Sequence, residues 1–259
     1  MVYYICAMRF EAEPFIKRLD LKKNTFYKRI EVFENDRCAV LVTGAGFLKA
    51  AMAVTELLTT RDISTKDLII NVGICGYMGE NNFAKGTAFI CNSIKSGYDG
   101  RTYYPDMIYK SPFRECSLVT YSSVVSGSAK RKDCMVDMEA AGVYEAAIRF
   151  VKINHIAFIK IVSDYCDGQY PLKEDAKEYV DRNADMIIRW AQEVLEDLDS
   201  HAEVKLTEEE IEALDRTAQR LHYSVTRRNQ LKKQMVYEKV MGRDVLGILE
   251  GEKAVAGIR

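Results

Sequence analysis

The sequence predicts an α/β fold: a mixed, mostly parallel central sheet flanked by helices, with a helical C-terminal extension. Three observations carry that expectation. Short apolar runs alternate with longer stretches whose apolar residues recur every three or four positions. Strands that alternate with helices favour a largely parallel sheet covered by those helices. From about residue 200 the strand-like runs stop.

The elements follow in order. Val2–Met8 reads as a buried strand, and Cys38–Thr43 as a second, closed by Gly44-Ala45-Gly46. Leu48 to Leu58 has helical spacing. Asp67–Val72 is a third strand, ended by Gly73-Ile74-Cys75-Gly76. Gly86–Cys91 and Cys116–Tyr121 are further strands. Cys134–Met138 leads into a helix over Glu139–Phe150. His155–Val162 is a strand, and Lys173–Leu198 a long helix. The domain expected from these elements spans 1–199 and the extension 200–259. In the extension, Thr207 is placed to cap a helix, Glu210 to complete the capping box, and Leu206 and Ile211 to staple it. Ile211, Leu214, Ala218, Leu221 and Val225 then form the buried stripe of one helix. Its acids come first and its bases last, as the helix dipole favours. Gly242, Gly247, Gly251 and Gly257 mark a looser end.

The bulk composition excludes several classes. The chain has 259 residues, 48% of them hydrophobic, enough for a sizeable core. Its net charge of −1 gives no global field toward nucleic acid or membrane. No apolar run is long enough to span a bilayer, and no leader-like segment opens the chain. The seven scattered cysteines form no Cys-x-x-Cys pair and read as reduced thiols in a cytoplasmic protein. With three histidines, a zinc site or a Ser-His-Asp triad is not expected, and no cofactor is implied.

Three carboxylates stand out. Glu139 and Asp164 follow apolar runs, at the carboxyl ends of two predicted strands, and Glu11 follows the first run. In an open α/β sheet that edge is where small molecules bind. Carboxylates gathered there suit acid/base work on a small polar substrate. Taken singly, each has a plainer reading. Glu139 could start a helix, Asp164 could cap a turn, and Glu11 could sit in solvent on a helix. Arg227, Arg228, Lys232 and Lys233 read as a solvated helix face rather than a nucleic-acid contact.

The order Ala7-Met8-(x2)-Glu11, Gly44-x-Gly46, Ile70-Asn71-Val72-Gly73-x-x-Gly76, Met138-Glu139-Ala140-Ala141 and Ser163-Asp164 resembles the purine nucleoside phosphorylase/uridine phosphorylase superfamily. Within it, the chain is most similar to the 5′-methylthioadenosine/S-adenosylhomocysteine nucleosidases. The resemblance covers roughly residues 1–199 and implies a purine nucleoside as substrate, N-glycosidic bond cleavage and a homo-oligomer. It implies roles as well: Asp164 as the acid that protonates N7 of the leaving purine, and Glu11 as the carboxylate that activates water. Glu139 would grip the ribose hydroxyls, Met138 pack on the sugar, and Ser163 hold the acid. Cys75 and Gly76 would line the sugar and nucleophile end.

The chemistry has physical reasons of its own. Cleaving a C–N glycosidic bond builds oxocarbenium-like charge on the sugar, which a nearby carboxylate stabilises. The leaving purine must take up a proton, which a carboxyl among apolar residues can supply. Asp164, after an apolar strand, suits that role. Glu139, at a helix start, is expected to stay ionised.

Several positions depart from the family pattern, among them Ile74 and Cys75, which replace a small Ser-Ala pair. The region between the third strand and Met138 is shorter, and Val124 stands where an aromatic would stack on the purine, so Tyr103, Tyr104 or Tyr121 would have to compensate. Asn71 occupies the position of the phosphorylases' arginine. That favours water over phosphate as nucleophile, with Arg9, Lys49 and Lys160 as substitutes if phosphate is used. A nucleoside-binding protein with little activity and a partner-docking tail is the alternative of another class. The retained trio Glu11, Glu139 and Asp164 argues for an enzyme.

Overall fold

The computed structural model describes residues 1–64, 66–80, 82–125, 133–200 and 206–251. The chain divides into two compact units, Met1–His201 and Ala202–Arg259. The first contains, in chain order, β1 (Val2–Cys6), α1 (Arg9–Arg18), β2 (Lys22–Lys23), β3 (Glu31–Glu34), β4 (Cys38–Val42), α2 (Phe47–Thr59), β5 (Leu68–Met78), β6 (Ala88–Ser96), β7 (Thr102–Tyr103), β8 (Arg114–Thr120), β9 (Cys134–Asp137), α3 (Ala140–Ala147), β10 (Ile156–Asp164) and α4 (Lys173–Ser200).

The strands form one sheet of order β10-β6-β8-β9-β5-β1-β4-β3-β2, with β7 on β6 and a further pairing of β10 with β5. That last pairing closes β10, β6, β8, β9 and β5 into a ring. The remaining strands continue outward from β5. Its long strands pair in parallel: β1 with β4 and β5, β10 with β5, and β8 with β6 and β9. The antiparallel pairs include β5 with β9 and β6 with β10.

β5 organises the unit. From Leu68 to Asn71 it pairs with β1, and from Gly76 to Met78 with β9. β10 runs along its other edge from Ile69 to Gly76. Between Asn71 and Gly76 the first edge has no strand partner among the described residues, and the site is built on that gap.

Both faces of β5 are buried, so its sequence is a nearly continuous apolar run. Ile69 packs with Ile5, Phe158, Leu57 and Val143 toward α2 and α3. Ile70, one residue on, packs with Tyr4, Phe15, Ile159, Val180 and Trp190 toward α1 and α4. α2 and α3 approach so closely that a Cβ at Gly142 would lie 2.3 Å from the Phe47 carbonyl oxygen. Only glycine fits there.

Several boundaries differ from the sequence reading. The first strand ends at Cys6, not Met8, because Met8 caps α1. The segment Gly73-Ile74-Cys75-Gly76 does not end the third strand but lies inside β5. Those glycines make room for neighbouring side chains rather than a turn. A Cβ at Gly73 would meet Glu11 Oε1 at 2.8 Å, and one at Gly76 would meet Cys166 Sγ at 2.7 Å. β2, β3 and β7 were not foreseen, since short and charged edge strands carry no apolar run.

The described residues of the second unit form three helices, α5 (Glu208–Arg220), α6 (Val225–Val240) and α7 (Val245–Glu250). The capping box forms as expected: Thr207 N–H donates to Glu210 Oε2 at 2.6 Å, and Glu210 N–H to Thr207 Oγ1 at 3.2 Å. Leu206, Ala213, Leu214, Leu231, Met235, Val245 and Leu249 form a core of its own, with Ile211 packed against it. The expected single helix is incorrect. His222 takes a left-handed conformation (φ 50°), and Ser224 caps a new helix. Leu221 and Val225 are therefore exposed, 40% and 76%, and leave the stripe. The stretch expected to be loose holds α7, while Gly257 lies outside the described residues. No helix among the described residues is long and apolar enough to cross a membrane.

Candidate active site

A cleft of about 540 Å³ opens at the carboxyl edge of the sheet, where β5 exchanges β1 for β9. Its lining includes all eight residues singled out from the sequence: Glu11, Cys75, Gly76, Val124, Met138, Glu139, Ser163 and Asp164.

Glu11 fills the gap on β5. It is the third residue of α1, a position from which a glutamate reaches back to the N-cap. Its Oε2 accepts the Met8 N–H at 2.7 Å, and its Oε1 accepts the Ile74 N–H at 2.9 Å. It is 2% exposed, not a solvated helix residue. Burial pushes its carboxyl up to about 7, against the opposing pull of those two donors and of Lys160. A carboxyl poised there can exchange a proton near neutral pH.

Glu139 does not cap its own helix. Asp137 does, accepting the Ala140 N–H at 2.9 Å. Glu139 reaches across instead, and its Oε1 accepts the Gly46 N–H at 2.7 Å, at the start of α2. Gly46 has φ 112°, a conformation that side chains avoid. The helix start that Glu139 serves is therefore that of α2 and not that of α3. Desolvation, and then the neighbouring Asp137 carboxylate, push its carboxyl up.

Asp137 was missed in the sequence, and Lys160 was read only as a substitute cation for phosphate. Lys160 Nζ lies 2.9 Å from Asp137 Oδ2, with both side chains buried. Thr120 Oγ1 donates to Asp137 Oδ1 at 2.7 Å and accepts the Ala141 N–H at 3.1 Å. Against the desolvation that would strip its charge, Asp137 and Glu139 hold the Lys160 ammonium above its usual range.

Asp164 closes β10. Its Oδ1 accepts the Cys166 N–H at 3.0 Å, and its Oδ2 lies 2.9 Å from Ser163 Oγ. Ser163 Oγ is also 3.2 Å from the Cys75 carbonyl oxygen. Cys166 also lines the cleft, and burial beside Asp164 pushes its thiol up to about 12.

The proposed phosphate cations are not in the cleft. Arg9 pairs with Glu31 at 3.2 Å and covers the Phe33 ring. Lys49 is exposed outside the lining, and Lys160 serves Asp137. Asn71 is buried, its Nδ2 donating to the Ile5 carbonyl at 2.9 Å. Lys173 is the one cationic residue among the described cleft-lining residues. Nor do Tyr103, Tyr104 or Tyr121 reach the lining. Tyr103 stacks on Tyr144 and donates to Glu145, and Tyr121 packs with Met78 and Val136.

No family model and no curated protein matches the chain by sequence. Solved structures do match its fold. One is a Helicobacter pylori MTAN mutant with 5′-methylthioadenosine in its active site, at TM-score 0.63 and 11% identity, covering 74% of this chain and 98% of the other. Another is the Neisseria meningitidis 5′-methylthioadenosine/S-adenosylhomocysteine nucleosidase in complex with methylthio-immucillin-A, at 0.61 and 18%, with the same coverage. A third is a futalosine hydrolase mutant of Helicobacter pylori, at 0.60 and 11%, again with the same coverage. The chain has the nucleoside phosphorylase/nucleosidase fold. At these identities the likeness concerns the fold, and function must be argued from the cleft.

Proposed function

We propose that this chain is an enzyme that cleaves the N-glycosidic bond of a purine nucleoside, with water as the nucleophile. The carrying observation is that Glu11, Glu139 and Asp164 line one cleft. Glu11, poised near neutrality, takes the proton of the attacking water. Glu139, fixed by Gly46, grips the ribose hydroxyls, and Met138 packs on the sugar. The carboxylates stabilise positive charge as it grows on the sugar. Cys75 and Gly76 line the sugar and nucleophile end.

Asp164 gives its proton to the purine as the bond breaks. Ser163 Oγ lies within donating distance of Asp164 Oδ2 and of the Cys75 carbonyl, and so holds the acid against β5.

Water is favoured over phosphate by charge. The cleft presents four carboxyl side chains and one lysine, so a phosphate dianion would find few partners. We also propose that the chain self-associates through Leu48 and Met52, each 71% exposed on α2, beside the stacked pair Phe47 and Tyr98. Seven free cysteines, five of them buried, suit a reducing cytoplasm.

The test is product analysis on a panel of purine nucleosides, with and without phosphate. Free base and free ribose, or a 5′-substituted ribose, are expected in both arms. Turnover that requires phosphate and yields a sugar 1-phosphate would assign phosphorolysis instead.

A further inference from the structure

Besides its carboxyl groups, the cleft presents two aromatic rings among the described residues, Phe10 and Tyr170. Phe10 directly precedes Glu11, at the end assigned to water and sugar. Tyr170 lies six residues beyond Asp164, on the segment that joins β10 to α4. That segment is tied to the acid at its start. Cys166 and Gly168 both take left-handed conformations (φ 56° and 84°), and the Cys166 N–H is spent on Asp164. Asp167 Oδ1 accepts the Gln169 N–H at 2.9 Å and tightens the turn. Pro171 restricts the backbone just after Tyr170 and also lines the cleft.

Tyr170 is 52% exposed, and no hydrogen bond or ring contact occupies it among the described residues. An aromatic ring held at the lip of a cleft, unpartnered and next to a restricted backbone, is placed for a flat ligand. Ser123, Val124 and Val125 also line the cleft, and Val124 is 62% exposed. They are aliphatic or small and give a π-face nothing to stack on.

We propose that Tyr170 is the residue that stacks on the nucleobase, so that the stacking ring and the acid Asp164 are carried by one segment. This rests on the reading of the cleft as a purine nucleoside site. A base docked on Tyr170 would bring its imidazole edge to Asp164 and hold the segment in place during proton transfer.

The experiment is calorimetric titration of the full chain with adenine, hypoxanthine and 5′-methylthioadenosine, the last in an Asp164→Asn background. The proteins compared are wild type, Tyr170→Phe, Tyr170→Leu and Tyr170→Ala. Removing the ring in Tyr170→Leu or Tyr170→Ala should weaken binding of a free base by about 5- to 150-fold. Tyr170→Phe should keep wild-type affinity, and Val124→Phe added to Tyr170→Ala should restore part of the loss. Because Tyr170 is half-exposed and unpartnered, these variants should melt like wild type. Unchanged affinity for the free bases in Tyr170→Ala would overturn the proposal. So would a loss confined to the nucleoside, which would put the ring on the sugar. Wild-type protein that binds neither base nor nucleoside would overturn the purine-site reading and this inference together.

Discussion

Acidic side chains behave in opposite ways in the cleft and in the C-terminal unit. In the C-terminal unit, Glu210 reaches Lys239, and Asp215 reaches Arg228 at 2.6 Å. The hydrogen-bonded cation holds each carboxyl below its usual range. In the cleft, Glu11 and Glu139 bond to backbone N–H groups, without a cation of their own, and desolvation pushes both up. Residues of the same type serve different ends. Paired acids tie helices together, whereas buried acids without a salt-bridge partner are kept where they can exchange protons.

Lys160→Met gives the largest expected effect, because Asp137 stands between these two cases. It is buried in the cleft wall yet paired, and the variant would strand its charge. Breaking such a pair should cost about 3–5 kcal/mol in urea unfolding at neutral pH. A loss as small as that of a surface pair would place Asp137 with the exposed acids.

The pH dependence of Glu11 comes next. Its folded carboxyl titrates at about 7, above the ordinary 4.5. As a base it must be deprotonated, so kcat/KM should fall about tenfold per pH unit below that point. The linkage to stability follows the same sign. The folded state holds this proton more tightly, so the group's stabilising contribution is complete in acid and is lost as pH rises through about 7. Glu11→Gln should remove the acid limb of the rate profile. A wild-type limb that stays near 4.5 would show that Glu11 is not held as described.

Arg228→Met should have the smallest effect. Both side chains of its pair with Asp215 are more than a third exposed, and the loss should be about 0.2–1 kcal/mol by thermal melting. A loss comparable to that of Lys160→Met would erase the contrast between the cleft and the C-terminal unit.

What could be read in the sequence follows the same division. Glu11, Glu139 and Asp164 were legible because each follows an apolar run, and a sheet brings such strand ends to one edge. The pairing of Asp137 with Lys160 was not. A lysine inside His155–Asp164 gives no sign of its partner, which the sheet supplies from β9. The helix that Glu139 reaches was not legible, because adjacency to one helix start does not say which helix a carboxylate caps. Tyr170 lies on a loop, where no periodicity reports what faces the cleft. In the second unit the capping box at Thr207 was local and legible. The break at His222 was not, because no glycine or proline marks that left-handed turn.

The central claim, that these buried acids cleave a nucleoside, is tested most directly by free-purine release from wild type and Asp164→Asn. Asn keeps the shape and most hydrogen bonds but cannot act as an acid. The account predicts release by wild type, a rate lower by about 10²–10⁴-fold in the variant, and largely unchanged nucleoside binding. Near-normal turnover by Asp164→Asn, or no release by wild type from any purine nucleoside, would contradict it.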